Sequence, residues 1–280
     1  MKRIIVTGAS SYIGTSLAEW LRPYPKQYTV ATVGMRDSTW LHKDFRGADT
    51  VVNVAGIAHG RENSLNSARY YQANRDLAYA LAKKARDEGV SQFIHLSSMS
   101  VYGMEEGVIT AVTLPVPQSH YGRSKLEGEQ LITALHNTGF NVNIIRAPMV
   151  YGRGCKGNYQ RLRLLALLTP VFPNIHNERS MIYIDHLCEF VRRLVDSSTG
   201  GLFFPQNKDY VCSAEMIKLI ALANGRKVLM SSFLNQFVRR THINPLTKLF
   251  GSLVYDRSLS QAVEYNLYSF PETIARTEQR

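Results

Sequence analysis

At 280 residues the chain is long enough for one large domain, or for a large domain with a smaller lobe. Its 45% hydrophobic and 20% charged content excludes a disordered or low-complexity chain, and the formal charge of +11 favours anionic partners. The three cysteines form no C-x-x-C, which argues against a disulfide framework or zinc site and fits a reducing cytoplasm; no apolar run reads as a signal peptide or approaches the ~18 residues of a membrane span.

Short apolar runs alternate with helical periods through the first half. The runs "RIIVTG" (3–8), "TVATV" (29–33), "TVVNVAG" (50–56), "QFIHLSS" (92–98) and "NVNIIRA" (141–147) read as buried strands. Between them, Ile13, Leu17 and Leu21, then Leu77, Ala80, Leu81 and Ala85, then Leu131, Ala134 and Leu135 carry helical spacing, and Gly89 and Gly139 mark helix ends. Nearly continuous apolar strands alternating with helices predict a parallel sheet covered on both faces. After residue 155 the pattern changes: a helical run over 158–168 meets "TPVFPN", then come a short strand in "GLFFPQ" (201–206), a helix in "SAEMIKLIALANG" (213–225) and a basic stretch broken by Pro245. These predict a smaller lobe.

The stretch "TGASSYIG" (7–14) follows the first strand and opens the first helix. A helix N-terminus approached by backbone amides suits a pyrophosphate, and this position in an α/β chain suits a dinucleotide. Ser11 stands where a middle glycine is usual and resists a positive φ, so the turn needs an arrangement that tolerates it. At the end of the second strand, where an acid would select the ribose 2′-hydroxyl of NAD, the chain has Gly34, with Arg36 and Asp37 beyond. The missing acid and the arginine suit a 2′-phosphate and favour NADP, while Asp37 leaves NAD open and a solvated Arg36 is the plain alternative.

"YGRSK" places Tyr121 and Lys125 four residues apart, on one helix face. A second pair, Tyr79 and Lys83, has the same spacing, so spacing alone selects nothing. Tyr121 opens its helix soon after "HLSSMSVYG" (95–103), where a buried strand ends in hydroxyls; Tyr79 lies within a helix that caps no site. Halfway along, "RAPMVYGRGCKGN" (146–158) follows a strand with three glycines and the cations Arg153 and Lys156, which suits close approach to something negative.

Taken in order, the glycine turn, "VVNVAG", Asn74 in "ANRDLA", "LSSMSVYG", Tyr121 with Lys125, "RAPMVYGRG" and "RSMIYIDHL" (179–187) resemble the extended short-chain dehydrogenase/reductase family, across essentially the whole chain. The resemblance implies an α/β fold, a Rossmann-type doubly wound parallel sheet with a smaller C-terminal substrate lobe. Residues 1–155 would be mainly the NAD(P)-binding core and 156–280 mainly the substrate-binding lobe, with some segments returning to the core. It implies cofactor contacts at Gly8, Ser10, Ser11, Tyr12, Ile13, Gly14, Arg36, Ala55, Gly56, Asn74, Tyr121, Lys125, Pro148 and Val150. Ser98 matches the hydroxyl that bonds the reacting oxygen, ahead of Ser97 and Ser100; Tyr121 matches the proton carrier and Lys125 the cation beside it. An ammonium and an oxidised nicotinamide would favour the Tyr121 phenolate. Tyr151, Asn158 and Tyr159 would contact substrate, and Arg179 would grip its pyrophosphate, with Arg239 or Arg240 as helpers because the family's second arginine has no clear match. No metal is expected.

The implied activity is hydride transfer at sugar C4 of a UDP-hexose, as a 4-epimerase; the alternative is an NADPH-dependent UDP-4-keto-sugar reductase. A dehydratase would place an acid pair beside the active serine, where this chain reads "MSVYG". Intact Ser98, Tyr121 and Lys125 argue against a nonenzymatic nucleotide-binding regulator, and no stacking motif supports nucleic-acid binding. A homodimer is expected through the helices near Asn74 and Tyr121, whose exposed faces would hold Tyr70, Tyr71 and Leu131. The short stretch between the second strand and "TVVNVAG" predicts a reduced third strand–helix unit.

Overall fold

The computed structural model describes residues 1–58, 67–197, 199–240, 249–260 and 264–279. They form two compact units that interleave along the chain: Met1–Gly103, Leu114–Ala147 and Leu187–Pro205 make the first, and Met104–Thr113, Pro148–His186 and the residues from Gln206 on make the second.

The first unit is built on a six-stranded parallel sheet. Its strands are β1 (Lys2–Thr7), β2 (Tyr28–Val33), β3 (Thr50–Asn53), β4 (Gln92–Ser98), β6 (Asn141–Ala147) and β10 (Gly201–Phe203), in the spatial order β10-β6-β4-β3-β1-β2. Ile4, Ile5 and Val6 are all at most 2% exposed, as a strand covered on both faces requires. One face carries α3 (Leu77–Asp87) and α4 (His120–Thr133), whose Leu81, Ala82, Ala85 and Ile132 join Ile5, Val51, Phe93 and Ile144 in one core. The helix α6 (Ile184–Asp196) enters the first unit from Leu187 on, and there the Lys2 ammonium donates to the Val195 carbonyl and Gln92 Nε2 to the Leu194 carbonyl.

Between β2 and β3 there is only a short 3-10 turn, Ser38–His42. The reduction expected there is complete: no strand forms over 34–49, and β2 is an edge strand with Ala31 and Thr32 exposed. Two other expectations are corrected. "GLFFPQ" does not serve the smaller lobe; its strand β10 extends the main sheet, pairing Gly201 with Asn143 and Phe203 with Ile145, because the open edge of β6 offers unpaired backbone groups. Tyr70 is not on an exposed face. It sits in α2 (Ser67–Tyr71), 3% exposed, with its ring edge-on to Tyr121 at 6.3 Å. A π-helical turn, Gln72–Asp76, joins α2 to α3 and holds Asn74.

The second unit contains three two-stranded parallel pairs. These are β12 (Leu253–Tyr255) on β5 (Gly107–Ile109), β9 (Met181–Tyr183) on β7 (Met149–Tyr151) and β11 (Leu229–Ser231) on β8 (Val171–Pro173). Around them lie α5 (Asn158–Leu168), α7 (Ser213–Ala223), α8 (Phe233–Arg240) and a C-terminal helix α9 (Phe270–Glu278), which Ser269 and Glu272 cap reciprocally. The side chains of Arg239 and Arg240, and Pro245, lie outside the described residues.

Candidate active site

The sheet order reverses between β2, on one side of β1, and β3, on the other, so the carboxyl ends of β1 and β3 form a switch-point crevice. The glycine turn lies there. Gly8 adopts φ +80°, and a side chain at Gly8 would meet the Ala55 backbone nitrogen at 3.1 Å, so the turn is pressed against the loop after β3. Ser11 needs no positive φ: it sits at φ −81°, ψ 151° as the N-cap of α1 (Tyr12–Leu21) and accepts from the Gly14 amide at 3.0 Å. A side chain at Gly14 would lie 2.5 Å from the Gly8 carbonyl oxygen, which holds the helix start close to the turn. Ser10 is exposed and Tyr12 and Ile13 are half-buried beside it. A capped helix N-terminus on a tight glycine turn at the switch point fits a dinucleotide pyrophosphate.

Beyond β2, Gly34 and Arg36 are exposed. Asp37 is engaged as the cap of the 3-10 turn, accepting from the Thr39 hydroxyl and, at 3.0 Å, the Thr39 amide, and these bonds hold its carboxyl below the usual range.

The expected catalytic residues come together within the first unit. Ser98 ends β4, paired in register with Ala147, and its Oγ accepts from the Ser100 amide at 3.1 Å. Tyr121 is in the first turn of α4, behind the N-cap Ser119, which accepts from the Gly122 amide at 3.0 Å; the Ser98 hydroxyl bonds the Tyr121 phenol. The helix reaches this position because it is small where it docks. A side chain at Gly122 would meet the Ser100 carbonyl oxygen at 2.5 Å, and one at Gly128 the Asn74 carbonyl oxygen at 2.5 Å. One turn after Tyr121, Lys125 is 5% exposed and donates to the Leu96 carbonyl at 2.9 Å. Asn74, fully buried, clips the loop after β3 to α4: it exchanges bonds with the Ile57 amide (2.9 Å) and carbonyl (3.0 Å) and donates to Ser124 Oγ (3.1 Å). Ala55 is buried, and Gly56 admits both Asn74 and Lys125, since a side chain there would meet Asn74 Oδ1 at 2.6 Å and Lys125 Nζ at 3.1 Å.

Burial lowers the Lys125 ammonium to about 8, with the Glu129 charge acting in the opposite direction. Burial pushes the Tyr121 phenol above its ordinary value, the Ser98 bond pulls it down, and Tyr70 adds to the rise. The chain's own groups therefore hold Tyr121 as a neutral phenol. In this arrangement the Lys125 ammonium is turned to the Leu96 carbonyl.

Beneath the site is a buried polar set that the motif reading missed. Ser97 donates to Glu129, and Arg146 grips the same carboxylate through Nε and, at 2.7 Å, a terminal nitrogen. The other terminal nitrogen of Arg146 donates to the Tyr102 hydroxyl at 2.8 Å. The sequence signal was present: an acid four residues after Lys125 on the buried face, and a cation inside the apolar run "NVNIIRA".

The residues expected to meet substrate belong to the second unit, as do Pro148 and Val150. Tyr151 and Tyr159 are at most 1% exposed and stacked at 5.8 Å, with hydroxyls already engaged: Tyr151 with Thr273 (2.7 Å) and Asn207 (2.9 Å), Tyr159 with Glu278 (2.8 Å). Asn158 is exposed at the first position of α5. Arg179 is half-buried; its backbone pairs with Val211 and its guanidinium donates to the Gly251 carbonyl at 2.8 Å. Burial lowers its pKa, and Glu105 and Glu106 oppose that shift. Arg153 and Lys156 are exposed in the glycine loop. Among the described residues, no group of His, Cys, Asp and Glu side chains forms a metal site, and no helix is long and apolar enough to cross a membrane.

The chain is similar to known proteins in sequence and in fold. UDP-glucose 4-epimerase of Vibrio cholerae is 29% identical over 250 residues, covering 79% of this chain and 76% of that protein. N-acetyl-alpha-D-glucosaminyl-diphospho-ditrans,octacis-undecaprenol 4-epimerase of Escherichia coli O157:H7 is 26% identical over 216 residues, 71% of this chain and 64% of that one. In fold, the chain is similar to UDP-glucuronic acid 4-epimerase of Bacillus cereus in complex with NAD, with a TM-score of 0.77 at 21% identity over 99% of this chain and 95% of that one. It is also similar to dTDP-4-dehydrorhamnose reductase of Bacillus anthracis in complex with NADP, with a TM-score of 0.77 at 19% identity over 99% and 98% of the two chains. Residues 4–201 match the family directly, and the chain belongs to the NAD-dependent epimerase/dehydratase family.

Proposed function

We propose that the protein is an NAD(P)-dependent nucleotide-sugar 4-epimerase acting on a UDP-hexose. The observation that carries this reading is the meeting of Ser98, Tyr121 and Lys125 at the carboxyl end of β4, beside the switch-point glycine turn. NAD(P), when bound, supplies hydride exchange at the sugar carbon. Beside the positive charge of a bound oxidised cofactor Tyr121 would ionise; the phenolate would then take the proton from the sugar hydroxyl oxygen and return it, while Ser98 holds that oxygen by a hydrogen bond. Lys125 bonds the cofactor ribose and lends positive charge. Gly8, Ser10, Ser11, Tyr12, Ile13 and Gly14 receive the pyrophosphate, with Ala55, Gly56 and Asn74 walling the crevice. Pro148 and Val150 border the nicotinamide.

Arg179 and Asn158 are the substrate contacts in this account, the guanidinium being suited to a pyrophosphate. Tyr151 and Tyr159 take a supporting role, because their hydroxyls are already engaged with Asn207, Thr273 and Glu278. The likeness to the Vibrio cholerae UDP-glucose 4-epimerase supports the choice of reaction.

A second reading, an NADPH-dependent 4-keto-sugar reductase, draws on the end of β2. There Gly34 and Arg36 are exposed while Asp37 is used as a cap, an arrangement that suits a 2′-phosphate. Incubating the protein with UDP-glucose, and separately with UDP-N-acetylglucosamine, and following the sugar by NMR tests the two. Conversion to the C4 epimer without added reductant supports the epimerase, and NADPH consumption with a UDP-4-keto-hexose supports the reductase. For assembly we propose a homodimer; light scattering should give twice the 31.6 kDa chain mass, and the chain mass itself would overturn it.

A further inference from the structure

The groups that do the proposed chemistry sit on separate elements: Ser98 at the end of β4, and Tyr121 and Lys125 on α4. Glu129, one turn beyond Lys125 and 4% exposed, is bonded to the residue before Ser98, because Ser97 Oγ donates to its carboxylate. The same carboxylate takes a forked pair of bonds from Arg146 of β6, which is 7% exposed. Arg146 in turn donates to Tyr102, in the 3-10 turn that starts at Met99, and lies 5.0 Å from the centre of its ring. One buried carboxylate of α4 thus binds β4 and β6 directly, and the 3-10 turn through Arg146.

We propose that Glu129 is a positioning residue for the reaction: it locks the end of β4 that bears Ser98 onto the helix that bears Tyr121 and Lys125, and it places a negative charge one turn from Lys125 on the buried side of that helix. This rests on the assignment of Ser98, Tyr121 and Lys125 above. A purely structural ion pair would need neither the Ser97 bond nor a place one turn from the catalytic lysine. Desolvation opposes the Lys125 charge, and Glu129 is the group that works against that loss. The other ionisable groups around the pair are Tyr121 on the same helix, His95 on β4, Arg146 on β6, Tyr102 on the 3-10 turn and Tyr70 on α2. His95 is buried as neutral imidazole, its pKa lowered by burial and then by Lys125.

The test is an NMR titration of Lys125 in protein carrying isotope-labelled lysine, with the signal assigned by its loss in Lys125→Arg. In Glu129→Gln the Lys125 midpoint should fall by about half a unit or more, the direction for loss of an opposite charge, and Glu129→Asp should recover part of the shift. An unmoved midpoint overturns the proposal. If Glu129→Gln leaves Arg146 stranded and fails to fold, the double variant Glu129→Gln/Arg146→Gln is compared with Arg146→Gln, and the Lys125 midpoint should be lower in the double variant; equal midpoints overturn the proposal. The readout needs no substrate, so it separates this proposal from the assignment of the site, which would fail instead if Lys125→Arg or Tyr121→Phe kept full turnover.

Discussion

The ammonium of Lys125 donates to the carbonyl of Leu96 across 2.9 Å, which ties the helix bearing Tyr121 to the strand that ends in Ser98. That bond crosses between two elements widely separated in sequence. It makes the distance between Ser98 and Tyr121 a property of the packed core rather than of a loop.

If Tyr121 is the proton carrier, Tyr121→Phe should lower turnover by about 100-fold or more while leaving dinucleotide affinity nearly unchanged. Tyr79→Phe, at the other pair of the same spacing, should leave turnover intact, since Tyr79 packs on the core side of α3 and Lys83 pairs with Asp87. Steady-state rates on the substrate identified by NMR check both variants; equal losses would show that the wrong pair was chosen.

Docking of α4 predicts a steric cost. The Cβ added by Gly128→Ala would fall 2.5 Å from the Asn74 carbonyl oxygen, backbone that cannot swing aside, so the variant should lose about 1–3 kcal/mol of stability. Urea denaturation measures it, and an unchanged midpoint would mean that α4 and the π-helical turn are not in this contact.

Much of the first unit was legible because its strands are apolar throughout and its helices keep their period. The glycine turn, Ser98 and the Tyr121–Lys125 pair could be placed on elements for that reason. The unit of the single strand in "GLFFPQ" is not legible, because three residues carry no sign of the partner they pair with, here β6. The burial of Tyr70 is not legible either, because a tyrosine on a polar helix suits either face, and the ring of Tyr121 decides it. The Glu129–Arg146 pair was missed because charges 17 residues apart become neighbours only when α4 packs on β6. Ser11 raised a doubt about the turn that its capping role removes.

For cofactor choice, Arg36→Ala should weaken NADPH binding by about 1.5–3 kcal/mol and leave NADH nearly unchanged, the scale of a charged hydrogen bond. Fluorescence titration with both cofactors decides it. Equal affinities before and after the change would remove Arg36 from the 2′-phosphate.

Acid stability should reflect Glu189 on α6. Burial alone would raise its pKa, but bonds from Arg192, Arg193 and Trp20 outweigh that and hold it at about 2, against an ordinary value of 4.5. A depressed carboxyl pKa stabilises the fold above its unfolded value, and that stability is lost as pH falls through the folded value. Glu189 should therefore contribute on the order of 2 kcal/mol at neutral pH, fading between roughly pH 4.5 and 2. Denaturant unfolding at stepped pH should show a steeper acid loss in the wild type than in Glu189→Gln; parallel curves would refute the assignment.

The switch-point turn and the Ser98–Tyr121–Lys125 cluster should together form a dinucleotide site used for sugar chemistry. Native mass spectrometry of the purified protein, before and after incubation with NAD+ and NADP+, tests it most directly. One dinucleotide per chain is expected, with retained NAD+ marking the epimerase and uptake of added NADP+ the reductase. A chain that carries no dinucleotide and takes up neither would contradict it.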